Sequence, residues 1–125
     1  MLHEVLLYTG SGLIVILGVA HLIPTKAIVK GFGVISEDNK RIIAMESIAE
    51  GITLIFLGVL VLLVTIIGNY QNTVSRAVFW ACAIMLIVMA MLTALTGART
   101  SILPYKICPF VKTAAAILFI LGVSV

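Results

Sequence analysis

Charged side chains are scarce in this sequence, and their scarcity excludes the soluble globular class. Eight Lys and Arg and five Asp and Glu residues make up 10% of the 125-residue chain, whereas 62% of it is hydrophobic. Soluble domains have roughly 25% charged and roughly 45–50% apolar residues. One soluble core cannot hold this much apolar surface, so the composition predicts an integral membrane protein with a single domain.

Several chemical signatures are also missing from the sequence. The formal net charge of +3 is too small and too scattered for a nucleic-acid-binding protein. The two cysteines, Cys82 and Cys108, match no metal-ligand spacing. There is no phosphate loop, no paired metal motif and no nucleophile–base pair. The sequence therefore assigns no catalytic residue, and it leaves open whether the protein is an enzyme.

Long apolar runs dominate the chain. A membrane-spanning helix needs roughly 20 apolar residues, and four segments reach that length. Ser36, followed by two acidic residues, is typical of an N-cap and starts the second helix near residue 37, before its membrane part at about 42–67. The sequence predicts an all-α, integral membrane four-helix bundle with up-down topology, its helices at about 2–23, 37–67, 77–96 and 105–125.

Basic residues are concentrated on one side of the predicted bundle. Seven of the eight Lys and Arg residues lie in or next to the loops 24–41 and 97–106, and only Arg76 lies in the loop between. The positive-inside rule makes the basic side cytoplasmic and puts both termini outside. Ile28 and Phe32 lie among the lysines of the first loop, so that loop is expected to lie in the membrane interface. The expected location is the cell membrane, with several spans.

Polar side chains interrupt the apolar helices near that cytoplasmic end. Glu46 and Glu50 lie one helical turn apart in the second segment, where a carboxylate facing hydrocarbon costs several kcal/mol. Helical spacing places further polar residues at similar depth on the other three helices. The predicted inward-facing cluster, assigned to ligand binding, is His21, Glu46, Glu50, Thr53, Thr93, Thr96, Arg99 and Lys112.

Two main interpretations of this cluster stay open. In the first, the cluster is the polar wall of a pocket for a lipophilic small molecule, because an intramembrane ionisable residue indicates a functional site by default. In the second, Arg99 and Lys112 pair with the acids in a salt-bridge network that only locks the helices, as in a structural or accessory subunit. A metal site, a haem site and a proton-coupled transporter are weaker alternatives, because the paired ligand patterns and a second polar gate are missing.

The remaining residues give expectations about contacts between helices. Cys82 and Cys108 fall toward opposite ends of the bundle, which predicts two free thiols. Small residues four apart on the third helix, Ala77/Ala81 and Ala90/Ala94, allow helices to approach closely. Packing within one bundle is the simpler interpretation, and a homodimer is the other.

Two stretches resemble the DoxX-like family of small four-helix membrane proteins. GVAHLIP, from Gly18 to Pro24, looks like that family's Gly-x-x-His/Lys-h-x-Pro pattern, and SIAEGITLIFLGVLVLL looks like its second helix with a glutamate and glycines. The resemblance implies a four-helix bundle, in some members a subunit of a quinone-coupled redox system. It would place His21 and Glu50 at the head-group end of a quinone or lipid pocket. Any electron transfer would need the ligand or a partner redox subunit, since the sequence supplies no redox centre of its own.

Overall fold

Helices account for nearly all of the described chain. The computed structural model describes residues 2–69, 72–99 and 103–124, and over those residues it contains no strand. The all-α prediction is confirmed. The helices are α1 (Leu2–Leu22), α2 (Thr25–Gly31), α3 (Glu37–Ile67), α4 (Thr73–Leu95) and α5 (Leu103–Ser124), with a 3-10 turn at Gly97–Arg99 between the last two.

Polar caps explain where the long helices begin. The Ser36 hydroxyl accepts a hydrogen bond from the Asn39 amide at 3.1 Å, so α3 begins in the polar segment ahead of its apolar run. The Asn72 side chain accepts one from the Val74 amide at 2.9 Å, and α4 therefore begins at Thr73 rather than at residue 77. α2 is a short additional helix inside the first loop. Residues 100–102 of the predicted loop 97–106, and Val125 of the predicted fourth helix, lie outside the described residues.

Within the described residues, four helices are long and apolar enough to cross a membrane. They are α1, α3, α4 and the Tyr105–Ser124 part of α5. Their outward faces are aliphatic and aromatic, with Ile16, Phe56 and Leu92 among the exposed side chains. Such faces are stable against lipid and not against water. The chain is therefore a multi-pass membrane protein, with four spans among the described residues.

The spanning helices form an up-down bundle that is not fully closed. α1 packs between α3 and α5, and α5 packs between α1 and α4. Each neighbouring pair is antiparallel, as the up-down prediction requires. α3 and α4, by contrast, contact each other little along most of their length. The ring of four helices is thus incomplete on one side.

Glycines bring α1 and α3 together. A Cβ atom added at Gly18 would lie 2.7 Å from the Gly51 carbonyl oxygen, and one added at Gly58 would lie 2.9 Å from the Ser11 carbonyl oxygen. The two contacts lie seven residues, or two turns, apart on each helix. Their order along α1 is the reverse of their order along α3, as in any antiparallel pair. Close backbone approach through small residues is a common way for membrane helices to pack. The small residues predicted on the third helix do not serve this role, since Ala77, Ala81 and Ala94 are exposed.

α3 and α4 meet at one end and separate toward the other. Next to the loop that joins them, a Cβ atom on Gly68 would lie 3.1 Å from the Ser75 hydroxyl oxygen. At the opposite end of the bundle the space between these helices is a groove. We call this opposite end, where α1 ends and α3 begins, the basic end, because it carries Lys26, Lys30, Lys40, Arg41, Arg99 and Lys106.

Candidate functional site

A buried ion pair holds the centre of the basic end together. Lys112 on α5 is 0% exposed, and its ammonium group donates a hydrogen bond to Glu50 Oε1 on α3. The same nitrogen donates to the Thr93 hydroxyl on α4, at 2.8 Å. A buried ammonium group is stable only when it is paired and hydrogen-bonded, and both conditions are met here. One lysine side chain thus joins three of the four spanning helices.

His21 adds the fourth spanning helix to this cluster. Its Nδ1 lies 2.9 Å from the Leu17 carbonyl oxygen, which can only accept, so Nδ1 carries a proton. Its Nε2 lies 3.1 Å from Cys108 Sγ and 3.6 Å from Glu50 Oε2. In the neutral imidazole Nε2 is an acceptor, and the Cys108 thiol is placed to donate to it. The 3.6 Å separation from Glu50 is too long for a hydrogen bond, and it would become an ion pair only with a protonated imidazole.

A groove of about 550 Å³ lies between α3 and α4, next to this cluster. It follows α3 from Ile42 to Thr53 and α4 from Met85 to Thr96, a distance of roughly 16 Å at about 1.5 Å per residue. Tyr105 of α5 also lines it. Because α3 and α4 are separated here, the groove opens sideways, in the direction from which lipid would approach.

The predicted site residues are distributed unevenly around this groove. Glu46, Glu50, Thr53, Thr93 and Thr96 all line it. Glu50 is 26% exposed, whereas Glu46 is exposed and makes no ion pair with any described residue. The polar stripe of α3 therefore faces the groove and not the bundle core. The core of α3 is formed by the adjacent stripe of Ser47, Gly51, Leu54, Leu57, Gly58, Val61 and Thr65.

The other three predicted residues occupy different positions. Lys112 lies behind Glu50 and Thr93, outside the groove lining, and His21 lies on the far side of Glu50. Arg99 is exposed in the 3-10 turn, and it forms no ion pair with Glu50. The turn interrupts the helix after Leu95, so helical spacing cannot be extended from Thr93 to Arg99. Among the Lys and Arg side chains that the structure describes, Lys112 is the partner of Glu50.

The threonines around the groove have already used their hydroxyl hydrogens. Thr53 donates to the Ala49 carbonyl oxygen at 2.7 Å, and Thr96 donates to that of Leu92 at 2.6 Å. Thr93 donates to the Met89 carbonyl oxygen at 2.9 Å while it accepts from Lys112. A hydroxyl group has one hydrogen and two acceptor lone pairs. These side chains thus offer acceptors, and no donors, to a molecule in the groove.

Four residues near the cluster were not predicted as part of the site. Cys108 and Tyr105 precede Lys112 by four and seven residues, so helical spacing from Lys112 could have indicated both. Thr25 and Ser47 donate to the His21 carbonyl oxygen at 3.0 and 3.4 Å. The Thr25 bond is a local contact to the carbonyl four residues earlier, which helical spacing could have indicated, whereas the Ser47 bond depends on how α3 packs against α1.

The described residues contain no group of three or more His, Cys, Asp and Glu side chains arranged to hold a metal ion. Cys82 and Cys108 are both buried and free, as the sequence predicted. Beside His21 and Cys108 lies a second, smaller cavity of about 270 Å³, with an almost wholly apolar lining. Of these two cavities beside the Glu50–Lys112 pair, the α3–α4 groove is the one with the more polar lining.

Comparisons with family models, curated proteins and solved structures find no match for this chain. The resemblance to the DoxX-like family accordingly stays a prediction. The chemistry of the groove follows from its own geometry.

Proposed function

We propose that this protein binds a lipophilic small molecule in the α3–α4 groove, with the molecule's polar head next to Glu46 and Glu50. The observation that carries the proposal is the gap in the helix ring. A lipophilic molecule can enter such a groove from the bilayer without crossing water. Apolar side chains, including Met85 and Met89, supply the wall for its tail, and flexible methionines adapt to varied shapes.

The groove favours a head that donates hydrogen bonds. The described residues that line it include two carboxylates and no basic side chain. Lys112 is covered by Glu50 and Thr93, and the three threonines offer only lone pairs. A head with hydroxyl, amine or amide hydrogens therefore finds acceptors, whereas an anionic head meets repulsion. Tyr105 also lines the groove, and its phenol group can donate a hydrogen bond.

This preference narrows the ligand class that the family resemblance implies. A quinone has two carbonyl oxygens, which only accept, whereas the corresponding quinol has two hydroxyl donors. The groove thus suits the reduced member of a quinone couple, or a long-chain amine or alcohol. In a DoxX-like quinone-coupled system the chain would serve as an accessory subunit beside a partner that carries the redox centre.

A structural role is the second candidate, and the burial of Lys112 favours it. A lysine that is 0% exposed and bonded to two other helices fixes the register of the bundle whether or not a ligand is present. Under this alternative the groove holds ordinary lipid, and Glu46 is a surface carboxylate near the interface. The two candidate functions therefore predict different effects for a change at Glu46, whereas both predict a loss of stability for a change at Glu50.

Binding by the purified protein tests the proposal. The probe is a quinol with a short isoprenoid tail, titrated anaerobically in detergent, and calorimetry gives its Kd. We expect Glu46→Gln to weaken binding about tenfold, because hydrogen bonds to charged groups contribute about 1.5–3 kcal/mol. Ala49→Phe should also weaken it, since the added ring would fill the groove beside an exposed lining residue.

Two matched variants control for charge and for bulk. Glu4→Gln removes an exposed carboxylate from α1 at the opposite end of the bundle, and Ala81→Phe adds the same ring to an exposed position of α4 outside the groove. Both should bind like the wild type. Equal weakening by Glu4→Gln, or a wild type that binds no quinol, would leave the structural role as the better account. A quinone that binds as tightly as its quinol would contradict the preference for donor heads.

A further inference from the structure

A second polar site lies outside the groove, in a cleft between α2 and the beginning of α3. Its volume is about 320 Å³. Four of the chain's eight basic residues line it, and no acidic residue does so among those described. We call it the basic cleft, and its lining is Thr25, Lys26, Val29, Lys30, Lys40, Arg41 and Ala44.

The two walls of the basic cleft are held in place by secondary structure. Lys26 and Lys30 lie one helical turn apart on α2, so both side chains leave the same face. Lys40 and Arg41 belong to the first turns of α3. Thr25, at the start of α2, bonds to the His21 carbonyl oxygen at 3.0 Å and lies 3.4 Å from the Ser47 hydroxyl. α2 is thus attached to both α1 and α3, and the cations are not on a loose arm.

The positive charge in the basic cleft is mostly uncompensated. Glu37 accepts a hydrogen bond from Lys40 at 3.4 Å, and both side chains of that pair are substantially exposed, so the pair contributes little. Lys26, Lys30 and Arg41 form no ion pair with any described residue. Like charges held within one cleft repel each other. An anion bound between them would relieve that repulsion.

The position of the basic cleft indicates which anion that is. Phe32 is 46% exposed and Val34 is fully exposed, both directly after α2. Apolar side chains beside lysines are typical of a segment that lies in the head-group layer. Val29 and Ala44 add an apolar surface within the cleft itself. Basic pockets beside membrane helices at this depth bind phospholipid head groups.

We propose that the basic cleft binds the phosphate of an anionic phospholipid head group. The lysines and Arg41 would contact the phosphate oxygens, with the apolar part of the cleft against the glycerol. The site is independent of the α3–α4 groove, because the two share no lining residue. A lipid bound here would hold α2 against the bundle and fix how deep the basic end lies in the membrane.

Native mass spectrometry of the detergent-purified protein tests this proposal. Phosphatidylglycerol and phosphatidylcholine are added in turn, and the fraction of protein that retains one lipid is measured. Each basic side chain near an anionic lipid contributes about fivefold to binding. We expect Lys26→Gln/Lys30→Gln to retain phosphatidylglycerol about 25-fold less well than the wild type. Lys40→Gln/Arg41→Gln, which alters the other wall, should lose as much.

The matched control is Arg99→Gln/Lys106→Gln, which removes two exposed basic residues from the same end but outside the basic cleft. It should retain phosphatidylglycerol like the wild type. Equal loss in this control, or no loss in either cleft variant, would overturn the proposal. Retention of phosphatidylcholine to the same extent would do so as well. Displacement of the lipid by millimolar inorganic phosphate would show that the cleft takes free phosphate, and the lipid assignment would then fail.

Discussion

Lys112 is the residue on which the basic end depends most. Its ammonium group is fully buried, and it is bonded to Glu50 and to Thr93. Removing one partner from a buried ion pair leaves an uncompensated charge, which costs about 3–5 kcal/mol in soluble proteins. Stability and ligand binding therefore overlap at Glu50, and a loss of binding in a Glu50 variant cannot be separated from a loss of fold.

We predict that Glu50→Gln lowers the free energy of unfolding by about 3 kcal/mol or more, because it leaves the Lys112 cation without a counter-charge. The measurement is equilibrium unfolding in mixed detergent and denaturing surfactant. The reverse substitution, Lys112→Met, should be destabilising for the matching reason.

The double variant Glu50→Gln/Lys112→Met is the decisive comparison. Both charges are then absent, and the unbranched methionine fills the space of the lysine stem. It should recover most of the stability lost in Glu50→Gln. Additive losses in the double variant would mean that the two side chains do not act as a pair.

Helix pairs differ in how closely they approach. α1 and α3 touch through backbone at Gly18, Gly51 and Gly58, whereas α3 and α4 leave a groove. The difference follows from side-chain size, because glycine lets two helix axes come together and a row of larger side chains does not. The same glycine-rich stretch of α3 packs on α1 with one face and borders the groove with another.

Gly51→Ala and Gly58→Ala should each destabilise the bundle by about 1–3 kcal/mol, the usual cost of an extra methyl group in a filled contact. The added Cβ would lie within 2.9 Å of backbone oxygen atoms on α1, and backbone cannot move aside cheaply. The thermal unfolding temperature of the detergent-solubilised protein gives the measurement.

Gly12→Ala is the control for helix propensity. No atom lies within 4 Å of a Cβ built at Gly12, so the same substitution adds no contact there. Its unfolding temperature should equal or slightly exceed that of the wild type, since alanine favours helix more than glycine does. A comparable loss at Gly12 would mean that the α1–α3 contact does not explain the effect at Gly51 and Gly58.

Hydropathy and helical spacing predict most of the elements and only part of the site. The four spans follow from composition, and Ser36 marks the start of α3 as expected. Spacing on α3 also placed Glu46 and Glu50 on one face, which is the face toward the groove. It could not distinguish that face from the core, because the distinction depends on which helices are neighbours. It misplaced Arg99 because the turn after Leu95 breaks the helical register.

At the scale of the whole molecule, most of the basic residues and the candidate site lie at the same end of the bundle. The groove, the basic cleft and the Glu50–Lys112 pair all belong to the basic end, and the opposite end carries Arg76 as its one basic residue. The positive-inside rule predicts that this end faces the cytoplasm. A ligand head in the groove would then lie in the cytoplasmic leaflet.

Cysteine labelling in intact cells tests this orientation. Cys82 and Cys108 are buried, so the wild type should react little with a membrane-impermeant maleimide. We predict that Thr73→Cys, at the exposed start of α4, is labelled from outside. Val34→Cys, at a fully exposed position of the basic end, should be labelled only after the cells are opened. The reverse pattern would mean that the basic end faces outward.

The pairing of Glu50 with Lys112 also bears on how the protein is made. α3 precedes α5 along the chain, so its carboxylate leaves the ribosome before the matching ammonium group does. Lys112 in turn is a charged residue in an otherwise apolar helix. Its charge is paired once α5 packs in the bundle with Glu50 of α3 as its neighbour. The placement of α5 in the membrane is thus linked to α3, from which it is separated in the chain by α4. A nascent chain arrested before residue 112 carries a lone acid within the membrane, and full extension of the chain relieves it.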